Sequence, residues 1–429
     1  MIRRVLILIF TFCFLTSCAP APNNPTTANV NTAPPATTAP SPAESPVATS
    51  AQITLPLLHA LLGDENFVNE LRSRVKLTNE QIESLKRVSN EDIARLREAN
   101  AEEVDSLNGD PRARASEQLN QILGDQKARE LTSFANEYWS KGDPSEATAN
   151  GPQMLPGPNA VPTDTRVVVN IPAFRMDLFQ AGSLVKSYQV GIGYPQFPLP
   201  QGLRKASTII FNPTWTPPDE PWVAKMKNIT PGETVEAGSK LNPLGPIKIP
   251  IGLPSLIHGG KAPAKIGKFA SHGCVGLTNN QVKDFALLLG QASGTELSDT
   301  TLAGYLQDKE ETKTVKLNET IPVELRYETI VLEDGKLHIY KDVYSQDTNT
   351  EENLRKVLEA HGARLEDLSE QQRAEINDAL TGKTKPKKGE TGVVIDLTAL
   401  SGKGYPAPVN LDKGSGKPGT RKGTRNTNH

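Results

Sequence analysis

Between Ile53 and Lys141 apolar residues recur every three or four positions, the spacing of one face of a helix. Thr78 with Gln81 makes a capping box, and Leu77 stands before it as a hydrophobic staple. Ile82, Leu85, Ile93, Leu96, Val104 and Leu107 then fall on one side, which predicts a long amphipathic helix. Asn108-Gly109-Asp110-Pro111 breaks it. Leu119, Ile122 and Leu123 belong to a second helical piece. Leu131, Phe134, Ala135, Tyr138 and Trp139 form a third stripe, read as core rather than as a binding face. The stretch is expected to be a small antiparallel helical unit.

Past Asp164 the period changes. Val167 to Asn170 and Phe174 to Phe179 are short apolar runs, and Ala181-Gly182 turns the chain into Leu184 to Ile192. Thr208 to Phe211 and Ile247 to Ile251 are further strand candidates, the latter leading toward Ile257 and His258. Val282, Phe285, Ala286 and Leu289 return to helical spacing. Thr314 to Val331 and Lys336 to Val343 flank Glu333-Asp334-Gly335, a hairpin turn signal. Glu351 to Leu380 is helical again, its charges a solvated face. The pattern as a whole is α+β: a mainly-β domain preceded by a small α-helical domain and followed by a helical and disordered C-terminal extension.

Composition refines the boundaries. The chain has 429 residues, a net charge of −2 and 37% hydrophobic residues, room for two or three folded units with linkers. The near-neutral balance gives no reason to expect a nucleic-acid partner. Residues 1–17 read as an export signal: Arg3 and Arg4 precede the apolar run Val5 to Leu15, too short for an ordinary membrane span. Residues 18–52, rich in Pro, Ala and Thr, cannot bury enough apolar surface to fold. As a semi-extended tether they reach roughly 100 Å at about 3.1 Å per residue. The division expected is then 53–141 helical domain, 142–164 linker, 165–346 mainly-β domain, 347–381 helical extension and 382–429 basic Gly/Lys-rich tail.

The candidate chemistry lies between Ile257 and Leu277. This stretch holds Cys274, His258, His272 and the glycines Gly259, Gly260, Gly267 and Gly273. A thiol is a strong nucleophile only as the thiolate and needs a base or cation beside it. Glycines let backbone N–H groups approach a reacting carbonyl, as an oxyanion site requires. Gly273 and Cys274 offer such amides. Ser271 is read as a turn residue with a supporting hydrogen bond, and a carbonyl near Gly259 or Gly260 as the group that orients an imidazole. The two histidines lack further ligands at recognisable spacing, so neither a metal nor a cofactor is expected. Trp215 and Trp222 are core or line a groove, with core preferred.

His258-Gly259, eleven residues, then Ser271-His272-Gly273-Cys274 resembles the active-site signature of the L,D-transpeptidases with a YkuD-type catalytic domain. Asn212-Pro213-Thr214-Trp215-Thr216-Pro217-Pro218, Asn242-Pro243-Leu244-Gly245-Pro246 and Pro200-Gln201-Gly202 are similar to further family segments, so the resemblance spans Arg166 to Ser345. It implies an exported enzyme acting on peptidoglycan stem peptides through a Cys274 thioester. His258 is then the base, with His272 assisting or holding the loop. One position departs: Gly276 stands where the family carries an arginine. That arginine would bridge the loop or meet a donor carboxylate, and Lys261, Lys268 and Arg204 are the nearest basic replacements in sequence.

Leu15-Thr16-Ser17-Cys18 resembles a bacterial lipobox, which implies lipidation of Cys18 and a membrane partner through that N-terminal lipid. Cys13 would leave with the signal, so of three cysteines only Cys274 would remain a thiol. Ala19 after the anchor favours the periplasmic face of an outer membrane in an organism that has one. Three functions are open: an L,D-transpeptidase making crosslinks, an L,D-carboxypeptidase or protein-to-wall attachment enzyme using the same thioester, and a wall-binding lipoprotein without turnover.

Overall fold

The computed structural model describes residues 53–98, 110–141, 153–218, 223, 226–252, 255–397, 400 and 404–415. The signal, the lipobox with Cys18, Val104, Leu107 and Trp222 lie outside the described residues, as does the side chain of Trp139.

The N-terminal helices start where side chains satisfy free backbone amides. Thr54 caps α1 (Leu55–Leu62) and Asp64 caps α2 (Glu65–Glu70), which runs on into one π turn. Thr78 and Gln81 close the capping box of α3 (Asn79–Glu98), with bonds of 3.1 and 3.2 Å. Asp110 caps α4 (Pro111–Leu123), whose first-turn proline gives up an amide that would have no helical partner anyway. Gly124 joins α4 to α5 (Asp125–Lys141). Their shared core holds Leu58, Phe67, Leu71, Ile82, Leu85, Leu119 and Leu131. Phe134 stacks on Phe67 at 5.3 Å, so this part of the aromatic stripe is core.

The helices dock on the strands that follow through two bonds to one residue. The buried Thr54 hydroxyl donates to the Gln196 carbonyl at 2.8 Å, and the Arg114 guanidinium donates to the Gln196 side-chain oxygen at 3.1 Å. α5 lies against a long strand, β5 (Gly202–Phe211).

The main sheet has the order β3-β2-β1-β10-β5-β6-β7-β9. Its remaining strands are β1 (Arg166–Asn170), β2 (Arg175–Gln180), β3 (Ser183–Gln189), β6 (Ile247–Pro250), β7 (Leu256–His258), β9 (Val275–Gly276) and β10 (Lys313–Arg326). Two short strands, β4 (Ile192–Gly193) and β8 (Phe269–Ser271), pair in parallel beside it. Immediately after β9, Thr278 and Gln281 form a second capping box and start α6 (Asn279–Ala292). Val282, Phe285, Ala286 and Leu289 are its fully buried stripe, packed into the sheet's core. α7 (Asp299–Gln307) leads back to β10.

Two sequence expectations need correction. The run expected as one hairpin arm, Thr314 to Val331, changes sheets. β10 ends at Arg326, and the hairpin proper is β11 (Ile330–Glu333) with β12 (Lys336–Tyr340) around Asp334-Gly335, both with positive φ as a tight turn needs. A run that alternates apolar and polar residues through both halves does not reveal which partner each half pairs with.

The stretch from Gly382, expected to be tail, supplies β13 (Gly392–Asp396), which pairs with β12 to complete a three-stranded sheet. The helices α8 (Glu351–Ala360) and α9 (Glu370–Leu380) cover that sheet, so residues 347–381 are half of an α/β unit rather than a separate extension. Farther on, Val409 and Asp412 run along β3, with Ser187 N–H to Val409 O at 2.9 Å and Gln189 N–H to Asp412 O at 2.9 Å. This covers the open edge of the main sheet.

Buried ion pairs join the two sheets. Arg175 of β2 reaches Asp177 at 2.8 Å and Glu333 of β11 at 2.9 Å. Within the main sheet, Arg166 of β1 pairs with Glu324 of β10, which also takes Arg326 at 2.8 Å. No helix among the described residues is long and apolar enough to cross a membrane.

Candidate active site

Strand register places the site. Ile249 of β6, Ile257 of β7 and Val275 of β9 stand opposite one another, all fully buried in the core. Side chains alternate along a strand, so the next row faces the other way. That row is Lys248, His258 and Gly276, continued by Gly191 through a pair of backbone bonds to Gly276 at 2.8 and 2.9 Å. Cys274 immediately precedes β9, in the bend that Ser271 closes. Residues eighteen apart in sequence are thus joined by a parallel ladder, which Leu277 N–H to His258 O at 2.8 Å and Lys261 N–H to Leu277 O at 3.0 Å extend.

The imidazole of His258 is buried. Its Nδ1 lies 2.7 Å from the Gly259 carbonyl oxygen. A carbonyl only accepts, so Nδ1 carries the proton there and Nε2 is left as the basic nitrogen. Burial, helped by the charge of Lys261 and opposed by the Gly259 and Leu244 backbones, lowers the His258 pKa to about 3. Cys274 is half-buried. Burial pushes its thiol above the ordinary value, against the Leu256 backbone and the positive charge of Lys261. The resting pair is therefore a neutral imidazole and a protonated thiol.

Ser271 closes the turn. Its hydroxyl donates to the Cys274 carbonyl at 2.5 Å and accepts the Cys274 N–H at 3.1 Å. The Cys274 amide, expected to be an oxyanion donor, is thus already donated to Ser271. Gly273 has φ +90°, a conformation that a side chain would strain. Gly259 gives its carbonyl to His258 and its N–H to Ile247 O at 3.1 Å. His272 packs between rings, 4.8 Å from Phe197 and 5.6 Å from Tyr194. Both rings come from the loop after β4, which also carries Gln196, the residue gripped by the helical unit.

The structure also sorts the other candidates. Lys261 crosses Gly276: a Cβ there would sit 2.8 Å from its Cγ and Cε. Lys268 is exposed, and Arg204 is buried on β5 with its pKa lowered to about 9 by that burial. Trp215 is core in a small cluster with Val223 and Leu244. The Asn242 side chain donates to the Pro213 carbonyl at 2.7 Å, tying the two asparagine-proline segments together. Lys248, Tyr194, Phe197 and the Leu244 and Leu256 backbones went unnoticed in sequence. Lys248 left one signal, a lone polar position between Ile247 and Ile249.

This ladder of strands β7 and β9 lies inside the one segment that matches a family model. Residues 164–296 match the YkuD family, the L,D-transpeptidase catalytic domain. None of the curated proteins matches the chain. Among solved structures the chain is similar to the Ldtfm–avibactam carbamoyl enzyme, at 14% identity over 38% of this chain and 49% of that one, TM-score 0.24. It is also similar to the catalytic domain of the E. faecium L,D-transpeptidase, at 15% identity over 39% of this chain and 100% of that one, TM-score 0.25. An L,D-transpeptidase from Mycobacterium smegmatis matches at 16% identity over 38% and 58%, TM-score 0.22. The chain spans about half the length of the first of these. The L,D-transpeptidase domain match ends at 296, before β10 completes the sheet at its centre.

Proposed function

We propose that this chain is a peptidoglycan L,D-transpeptidase that forms crosslinks through a thioester on Cys274. The observation that supports the reading is the His258 row: parallel pairing of β7 with β9 sets the histidine opposite Gly276, two residues after Cys274, and the Gly259 carbonyl orients its ring. The sulfur attacks the carbonyl of the bond between the L-centre and the terminal D-residue of a stem peptide. As it does so the thiol proton passes to His258 Nε2, and from there to the departing amine of the D-residue. Because neither group is ionised at rest, proton transfer accompanies attack instead of preceding it. An amine of a second stem peptide then attacks the thioester, and the thiol is restored. Ser271 holds the turn, the Gly273 amide is the nearest oxyanion donor that Ser271 does not occupy, and His272 keeps the loop against Phe197 and Tyr194.

The enzyme acts outside the cytoplasm, held to a membrane by lipid on Cys18, with residues 19–52 as the tether. The test incubates the full chain with a disaccharide-tetrapeptide and follows products by mass. Dimers that vanish in Cys274→Ala support the proposal. Release of the terminal residue without dimers supports the carboxypeptidase, and no product from the native chain supports the wall-binding lipoprotein.

A further inference from the structure

The helical unit reaches the reactive bend through one loop. Gln196 stands in the middle of that loop, 1% exposed, and both of its oxygens are taken by helical residues. Thr54, the cap of α1, donates its hydroxyl to the Gln196 carbonyl at 2.8 Å. Arg114 of α4 donates to the Gln196 side-chain oxygen at 3.1 Å, and is held from behind by Asp92 of α3, its Nε 3.6 Å from that carboxylate. On its other side the loop is bonded to the segment before Cys274. Tyr194 N–H donates to Ser271 O at 2.9 Å, and Phe197 N–H folds back onto Tyr194 O at 2.8 Å. Gly193 packs so closely that a Cβ there would sit 3.1 Å from the Gly273 amide nitrogen. The rings of Tyr194 and Phe197 flank the His272 imidazole at 5.6 and 4.8 Å. Three helices are thereby linked to the wall of the bend by directed hydrogen bonds and ring contacts.

We propose that Gln196 is a positioning residue: through it the helical unit holds the loop that walls His272 and Gly273, and so sets how fast the Cys274 site turns over. Gln196 acts through its neighbour Phe197, not on substrate. A loop tied to the helices on one side and to Ser271 on the other loses the freedom that would let the His272 ring drift, and reacting groups displaced by an ångström lose much of their rate. The position requires an acceptor for Arg114, so glutamate serves there and methionine, of similar size, does not. The part concerning turnover rests on the transpeptidase reading above, whereas the link from α4 to His272 does not.

The test has two arms on the full chain. In the first, the ring signals of His272, one of six histidines, are followed by NMR on histidine-labelled protein and assigned by their loss in His272→Gln. Ring currents from Phe197 and Tyr194 displace those signals in the native chain. Gln196→Met should move them toward the free-imidazole position, and Gln196→Glu should leave them in place. Arg114→Met removes the same bond from the helical side and should move them as Gln196→Met does; the double variant should add nothing to either single one. α5 also rests against β5, so the helical unit stays attached when this bond is cut. In the second arm a disaccharide-tetrapeptide is the donor. Gln196→Met should lower kcat about ten- to a hundredfold with KM within about twofold, and Gln196→Glu should restore it. Urea unfolding shows that each variant is folded where the two arms are read.

His272 signals that stay native in Arg114→Met, or in a folded Gln196→Met, overturn the proposal. So does a Gln196→Glu variant that behaves like Gln196→Met, and so does native kcat alongside moved signals. Should Gln196→Met fail to fold, Arg114→Met decides both arms. Signals that move as expected, in a chain whose native form consumes no donor, keep the link and overturn the transpeptidase reading alone.

Discussion

Tyr344→Phe tests how the loop around His272 is held. Tyr344 is 6% exposed, and its hydroxyl sits between two backbone groups. It donates to the Gly193 carbonyl at 2.8 Å and accepts the Leu199 N–H at 3.1 Å. Those partners bracket the loop that carries Tyr194, Phe197 and Gln196. Phenylalanine keeps the ring and its packing on Tyr327 at 5.8 Å, so almost no apolar burial is lost. What remains is polar: two buried backbone groups lose their partner at about 1–3 kcal/mol each. The expected loss is about 2–4 kcal/mol, a factor of roughly 30 to 1,000 in the folding equilibrium at about 1.4 kcal/mol per decade. Urea unfolding followed by tryptophan fluorescence gives the stability, and the iodoacetamide rate at Cys274 reports on the loop. A midpoint within about 0.5 kcal/mol of native, with an unchanged slope, would refute the argument that this hydroxyl satisfies both groups.

Arg175→Met should cost about 3–5 kcal/mol, because it leaves Asp177 and Glu333 buried without their cation; adding Glu333→Gln should recover part of it in the same urea assay, and a single-variant loss below about 1 kcal/mol would speak against a buried network joining the sheets. The His258 ring, lowered from 6.5 to about 3 by burial, stays neutral in the native state while the unfolded chain takes up a proton below about pH 6.5. Its contribution to stability is therefore whole above pH 6.5 and lost as the pH falls toward 3, so the difference in stability between native and His258→Gln should shrink across that window; a difference independent of pH there contradicts the assignment. His258→Ala should slow Cys274 acylation by a carbapenem on the order of 10²–10⁴-fold, and His272→Ala much less; the reverse order would exchange their roles. Gly193→Ala would place its Cβ 2.2 Å from the Phe197 carbonyl and 3.1 Å from the Gly273 amide, and should lower both stability and Cys274 reactivity without affecting the helical unit.

The sequence by itself determined what is local. Side-chain caps are contacts over three residues, so Thr78-Gln81 in the first domain could be read directly, as could the apolar stripe of α6 from Val282 to Leu289. The candidate residues His258 and Cys274 could be nominated for a related reason: the signature keeps them on two segments joined by one short crossover. Periodicity also marked β6 as a strand, although not which residues it faces.

Pairing between distant strands was decided only in three dimensions. Whether Ile321 to Val331 is one strand or two depends on β1 and β5 competing with β12 for the same backbone, and no residue in the run records the outcome. Gly392–Asp396 lies in a stretch rich in glycine and lysine that reads as tail, yet it becomes a strand because β12 offers an open edge. Lys261 could be nominated from sequence only as one of three cations. Only the fold shows that its stem lies across Gly276 while Lys268 faces solvent and Arg204 lies buried on β5. Contacts made along the chain are written in neighbouring residues, whereas contacts made across a sheet depend on which of several compatible edges closes first.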